Sequence, residues 1–176
     1  MTTLTARPTD GSAWITGASS GIGRALALRL AGEGYTVYAT ARNEQDLAEA
    51  ERDAVGLDGR IIAAPGDVTN AEAMAEIAAR IDAEGNGLAL AVFNAGVYLP
   101  VHAEILKLGD FDKSFAVNLT GVVNCLAPAL ERMKARRRGQ LAIVSSVTGY
   151  GGMPTSAAYG ATKAALINMA ESLKFD

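Results

Sequence analysis

Five short apolar runs divide this chain, each about one strand long, and the gaps between them carry stretches of helical periodicity. The runs fall at residues 13–16, 36–40, 60–64, 88–93 and 141–145. Ile22, Leu26 and Leu30 recur every four residues. They predict the inward stripe of a helix over 21–33, ended by Gly34. Asn43 is placed to cap a second helix. Thr69 and Glu72 have capping-box spacing ahead of Met74, Ile77, Ala78 and Ile81. A long helix is expected over 110–134, with Phe111, Phe115, Asn118 and Val122 on one face and a bend at Pro128. A last helix is expected over 158–173. Strands that alternate with helices are joined by crossovers, which predicts a doubly wound parallel α/β sheet with helices on both faces. In such sheets ligands bind beyond the strand carboxyl ends, beside the reversal in strand order.

Composition narrows the class. A length of 176 residues suits one domain, here 12–176, with 1–11 as a disordered lead-in. A net charge of −3 gives no general attraction to nucleic acid or anionic membrane. The basic cluster from Lys134 to Arg138 falls where the long helix ends, and cations there complement the helix dipole as a solvated cap. No apolar run reaches the roughly 18 residues of a membrane span, and the first residues do not read as a secretory signal. A single cysteine, Cys125, excludes an intrachain disulfide and fits a cytoplasmic setting; it is expected to be packed. With one histidine, His102, a zinc site is not expected. His102 reads as a solvated loop residue or a pocket contact.

The first strand runs into Thr16-Gly17-Ala18-Ser19-Ser20-Gly21-Ile22-Gly23. Glycines at such a turn let the backbone approach a pyrophosphate, and the helix that follows offers free N–H groups and a partial positive charge. The spacing is G-x-x-x-G-x-G rather than G-x-G-x-x-G. At the end of the second strand an NAD site usually places an acidic residue; this chain has Ala41 and Arg42. A guanidinium there suits a 2′-phosphate, with Ser19 as a further donor, and favours NADP over NAD. The alternative is that Arg42 is only a surface residue.

The fifth run ends at Ser145 and Ser146, with Tyr159 and Lys163 following one helical turn apart on a face that Leu166 and Ala170 continue. A lysine on an inward face needs a reason. Its charge favours an ionised phenol, so Tyr159 can exchange a proton with an alcohol or carbonyl oxygen that a serine hydroxyl also binds. Asn118 either holds a water on a proton path to Lys163 or makes a helix–helix hydrogen bond. Tyr150 and Met153 either wall a substrate site or pack a turn.

Together these residues closely resemble the classical type of short-chain dehydrogenase/reductase. The match rests on the turn from Thr16 to Gly23, Asp67-Val68, Asn94-Ala95-Gly96, Asn118, Ser146 and Tyr159-Gly-Ala-Thr-Lys163. The resemblance implies a Rossmann-type fold and hydride transfer between a nicotinamide cofactor and a secondary alcohol or ketone. It implies that Gly17, Ser19, Ser20, Gly21, Ile22, Gly23, Arg42, Asp67, Val68, Asn94, Ala95, Gly96, Tyr159 and Lys163 bind the cofactor, with Asp67 and Val68 at the adenine. Tyr159 would be the general acid/base. Lys163 would bind the nicotinamide ribose and tune Tyr159, Ser146 would orient the carbonyl, and Asn118 would complete a proton relay. It also implies no metal, and a homodimer or homotetramer.

Members of that family continue past the Tyr-x-x-x-Lys helix with further strands and a substrate-covering segment. This chain stops at Asp176, so the resemblance implies a shortened form of a longer enzyme, with the C-terminal strands absent and the fifth strand left as a sheet edge. Such a chain is expected to be weakly stable and poorly active. Two other functions fit the same residues: a non-catalytic NADP-binding module, and epimerase or dehydratase chemistry on this scaffold.

Overall fold

The computed structural model describes residues 5–174. Strands β1 (Ser12–Thr16), β2 (Thr36–Thr40), β3 (Arg60–Ala63), β4 (Leu88–Phe93) and β5 (Gln140–Ile143) form one parallel sheet. Its order is β3-β2-β1-β4-β5. The chain winds outward from β1 through β2 to β3, then crosses back to place β4 on the other side of β1. That reversal puts the carboxyl ends of β1 and β4 side by side. The helices are α1 (Gly21–Gly32), α2 (Glu44–Asp53), α3 (Ala71–Glu84), α4 (Leu108–Phe115), α5 (Gly121–Arg136) and α6 (Ala157–Leu173).

The pleat of β1 sorts the layers, because successive side chains point to opposite faces. Ala13 and Ile15 join Val37, Ala39, Leu30, Leu47 and Ala50 under α1 and α2. Trp14 points the other way, into a core with Tyr38, Phe93, Met74, Leu126 and Leu166 from α3, α5 and α6. The Trp14 ring meets Phe93 edge-to-face at 6.0 Å, and its Nε1 donates to Thr40 Oγ1 at 2.9 Å, so its one polar atom is buried with a partner. Trp14 lies level with Tyr38 on β2 and Ala91 on β4. At the β3 edge, Glu51 Oε1 accepts from the Ala63 N–H at 2.6 Å and occupies an otherwise open donor. β5 is the opposite edge, as expected, and its residues are half-buried or exposed.

Several expectations need correction. The buried stripe of α1 is Gly23, Ala27, Leu30 and Ala31, while Ile22 is 69% exposed. Small residues let the helix lie close to the sheet, and the first turn overhangs its end. Asn70, not Thr69, caps α3 by accepting from Ala73 N–H at 3.1 Å. Thr69 is diverted to the Asp67 carboxylate, 2.9 Å from its N–H and 2.8 Å from its hydroxyl. The long helix is interrupted by a π turn over Ala116–Thr120, and α5 continues through Pro128. Its inward face carries Ser114, Asn118, Val122 and Cys125, with Phe115 outside. On α6, Leu166 is buried but Ala170 is exposed. Within the expected disordered lead-in, Pro8–Asp10 form a 3-10 turn; residues 1–4 lie outside the described residues. Asp10 is buried there and paired with Arg138, while Arg136 donates to its carbonyl at 3.0 Å. Two cations of the basic cluster, both exposed as expected, therefore also hold the first turn.

Cys125 is 1% exposed, and burial pushes its thiol up to about 12. Native protein should not react with a thiol reagent at pH 8; reaction should follow unfolding. Above an ordinary thiol value of 9.0 the unfolded chain loses this proton while the folded chain keeps it. Stability should then fall with rising pH more steeply in the parent than in Cys125→Ala. Chemical denaturation at a series of alkaline pH values reads the two slopes, and equal slopes would place the thiol outside the core.

Candidate active site

Beyond the carboxyl ends of β1, β2 and β4 lies an open cleft of about 450 Å³. Gly17, Ser19, Ser20 and Ile22 form one wall, and Ala41 and Arg42 stand at the β2 end. Gly66, Asp67 and Val68 lie on the far side, and Asn94, Ala95 and Gly96 form the floor at β4. Ten of the fourteen residues expected to bind cofactor therefore line one space, and Gly21, Gly23, Tyr159 and Lys163 are not among its lining. Gly23 is buried and packs against the Gly17 carbonyl and the Asn94 side chain, while Gly21 is exposed. Gly21 has φ +53 and Gly17 φ +68, conformations that favour glycine.

The turn is fastened from β4. Thr16 Oγ1 accepts from the N–H groups of Asn94 and Ala95, both at 3.1 Å. Asn94 Nδ2 donates to the carbonyls of Thr16 at 3.1 Å and Gly17 at 3.2 Å. The side chain of Asn94 thus holds the turn, and its contribution to the cleft is that shape. At α1 no side chain caps the N-terminus, whereas Asn43 caps α2 and Asn70 caps α3. The first N–H groups of α1 are left for whatever enters the cleft. Asp67 is held below the usual carboxylate range, first by the N–H of Thr69 and in smaller part by Arg42.

The second group stands behind Gly96 and outside the lining of the cleft. Asn118 is fully buried; its Oδ1 accepts from Val97 N–H at 2.7 Å. Its Nδ2 donates to the Val97 carbonyl at 2.9 Å and Thr162 Oγ1 at 3.3 Å. The amide clamps the loop after β4 and reaches α6. Lys163 is buried too, and desolvation lowers its pKa. Its Nζ donates to the Val144 carbonyl at 2.7 Å and lies 5.5 Å from the centre of the Tyr159 ring. A Cβ on Gly96 would stand 3.3 Å from Asn118 Oδ1 and 3.8 Å from Lys163 Nζ, so both groups border the cleft floor. Ser146 Oγ accepts from the N–H of Thr148 at 3.3 Å and its hydroxyl at 3.0 Å. Both bonds use lone pairs, which leaves the Ser146 proton free.

A family model described as short chain dehydrogenase matches residues 12–176. The chain belongs to the short-chain dehydrogenase/reductase family. It is 36% identical to a 3-oxoacyl-acyl-carrier-protein reductase of Staphylococcus aureus, over 92% of this chain and 66% of that protein. The structure of a 3-ketoacyl-ACP reductase from Sinorhizobium meliloti 1021 superposes with a TM-score of 0.86 at 36% identity, covering 93% of this chain and 66% of that one. The structure of ElxO with NADP bound superposes with a TM-score of 0.85 at 30% identity, over 94% and 65%. This short-chain dehydrogenase/reductase thus spans just under two thirds of the length of these relatives. Relatives of this fold bind NADP.

Tyr150 and Met153 line a separate shallow groove with Ala157, Gly160, Ala161 and Ala164 on α6. Among the described residues no group of three or more His, Cys, Asp or Glu could hold a metal, and no helix is long and apolar enough to cross a membrane. Sequence reasoning counted Thr16 in the Gly-rich motif but gave it no role of its own. It missed Tyr98, whose ring meets Tyr159 edge-to-face at 5.4 Å.

A Cβ on Gly23 would run into the Gly17 carbonyl and lie 2.6 Å from Asn94 Nδ2. Gly23→Ala should therefore cost about 1–3 kcal/mol of stability and spoil the turn. Gly32→Ala, on the same helix with nothing within 4 Å, should stabilise by about 0.4–1 kcal/mol. Urea melts of the two variants check the contrast; equal effects would mean the turn tolerates a methyl group.

Proposed function

We propose that this chain is an NADP-dependent oxidoreductase that transfers a hydride between the nicotinamide and a secondary alcohol or ketone, with Tyr159 as general acid/base. The observation that carries the reading is the continuity of one cleft. It runs from Arg42, past the uncapped N-terminus of α1, to Gly96, where Lys163 and Asn118 stand. A dinucleotide fits this donor set: free amides for the pyrophosphate, a guanidinium and the Ser19 hydroxyl for a 2′-phosphate, and a buried ammonium for a ribose. The bound cofactor supplies the hydride from C4.

The chain's own residues handle the oxygen and its proton. Ser146 donates its free hydroxyl proton to the carbonyl oxygen as a hydrogen bond, which polarises the carbonyl and orients it. Tyr159 gives its phenolic proton to that oxygen as the alcohol forms, and takes it back in the oxidative direction. Lys163 lies against the ring, so its positive charge stabilises the phenolate left behind. Of its three ammonium protons one goes to the Val144 carbonyl, which leaves others for a ribose hydroxyl. Asn118 fixes Val97 and with it the floor. The names of the S. aureus and S. meliloti relatives make 3-oxoacyl esters and thioesters the first substrates to test. The reading places the protein in the cytoplasm as a homodimer or homotetramer, with Phe115 and Val123, 37% and 40% exposed, on a face suited to a second copy.

Titration followed by nicotinamide fluorescence should show tighter binding of NADPH than NADH. Arg42→Asp should weaken NADPH by about 10- to 100-fold, the value of a charge-assisted bond, without weakening NADH. Tyr159→Phe should bind NADPH as the parent does while ketone reduction falls at least about 100-fold. NADPH binding that ignores Arg42→Asp, or turnover that survives Tyr159→Phe, would overturn the corresponding half of the reading.

A further inference from the structure

Tyr98 is 49% exposed at the rim of the site, yet its position is fixed from three directions. The residue before it, Val97, has both backbone polar groups taken by the Asn118 side chain, at 2.7 and 2.9 Å. Its ring stands edge-to-face to Tyr159, centroids 5.4 Å apart and planes at 87°. Its hydroxyl lies 2.6 Å from Thr155 Oγ1. The direction of that last bond follows from the next one. Thr155 Oγ1 donates its single proton to the Pro154 carbonyl at 2.7 Å, so the Tyr98 phenol must be the donor.

Thr155 is itself unusual. Its φ of 59 is left-handed, a conformation that a β-branched residue rarely adopts. The surroundings hold it there: besides Tyr98, the Val101 N–H donates to its carbonyl at 2.9 Å. Thr155 immediately precedes Ser156 and the first turn of α6, which carries Tyr159. The segment after β4 and the segment before α6 are thus pinned together through Tyr98 and through the Val101 bond, and among the described residues the Tyr98 ring is the one aromatic ring against that of Tyr159. Lys163, on the same ring at 5.5 Å, supplies charge. Tyr98 supplies direction.

We propose that Tyr98 is a positioning residue that sets the orientation of the Tyr159 phenol through the edge-to-face contact, with its own hydroxyl anchored to Thr155. The inference rests on the reading of Tyr159 as the proton donor. Tyr98→Phe keeps the ring contact and loses the anchor; Tyr98→Leu and Tyr98→Met lose both. The full chain is assayed in each form for NADPH binding and for reduction of ethyl acetoacetate. Tyrosine-labelled protein is examined by ring-carbon NMR, the Tyr159 signal being assigned with Tyr159→Phe.

The two ring-free variants should bind NADPH as the parent does while kcat falls about tenfold to a hundredfold, the scale of a small misplacement of a reacting group. Tyr98→Phe should restore most of that rate. The Tyr159 ring signal should move in the ring-free variants and stay near its place in Tyr98→Phe. Parent-like kcat in either ring-free variant would overturn the proposal, as would a loss confined to NADPH affinity. If the parent binds NADPH but reduces no ketone, the functional reading fails separately. The NMR signal then decides the inference alone: a Tyr159 resonance indifferent to loss of the Tyr98 ring overturns it.

Discussion

A parallel sheet delivers every strand's carboxyl end to the same edge, so each connection must cross a face before the next strand can begin. In this chain the crossing changes side once, between β3 and β4, and the ends of β1 and β4 are left adjacent with their following segments diverging. A gap must open there, and its backbone groups must be satisfied without a ladder. Thr16 is the answer on the β1 side. Its hydroxyl accepts from the first two N–H groups beyond β4, while Asn94 returns two bonds to the carbonyls of the Gly-rich turn. Turn and floor therefore form one hydrogen-bonded piece, and the rest of the cleft hangs from it.

The same economy explains why α1 differs from its neighbours. Capping a helix N-terminus with a side chain typically contributes about 1 kcal/mol, and α2 and α3 both take that stabilisation from asparagines. α1 has serine at the capping position and does not use it. The unsatisfied amides lie beside Gly17, Ser20 and Ile22 of the cleft wall, and the positive φ of Gly17 brings bare backbone to its surface. Stability forgone at that end is available to an anion. Lys163 shows the complementary case: a charge desolvated on α6 with one carbonyl partner, its remaining donors close to Gly96.

Strand placement was legible because burial on both faces leaves near-continuous apolar runs, and much of the cleft lining was legible because it sits just beyond strand ends where a motif can be counted. What failed did so through contacts between elements. Periodicity put Ile22 in the core, but the first turn of α1 overhangs the sheet and Ile22 lines the cleft instead. Capping rules chose Thr69, and the Asp67 carboxylate two residues earlier had already claimed its hydroxyl and N–H. The N-terminal turn was invisible because its partner, Arg138, is far along the chain. Tyr98 carried no signal at all, since its significance lies only in which ring it meets.

The π turn between α4 and α5 shows how the backbone itself serves the floor. An ordinary α-helix over this length would bury residues at spacings of three and four, as Ser114, Asn118, Val122 and Cys125 do. A polar amide at the second of these positions has to meet backbone groups on the loop after β4, and a regular ladder does not bulge toward a loop. The five-residue turn Ala116–Thr120 widens the helix at that point. Asn118 projects from its middle and engages both polar groups of Val97. Gly121 follows directly, and a side chain there would lie 2.7 Å from a methyl group of Val68. The widened turn can therefore approach the cleft only where its successor is glycine. Helix irregularity, small residue and buried amide are one device, and its product is the hydrogen-bonded loop on which Tyr98 stands.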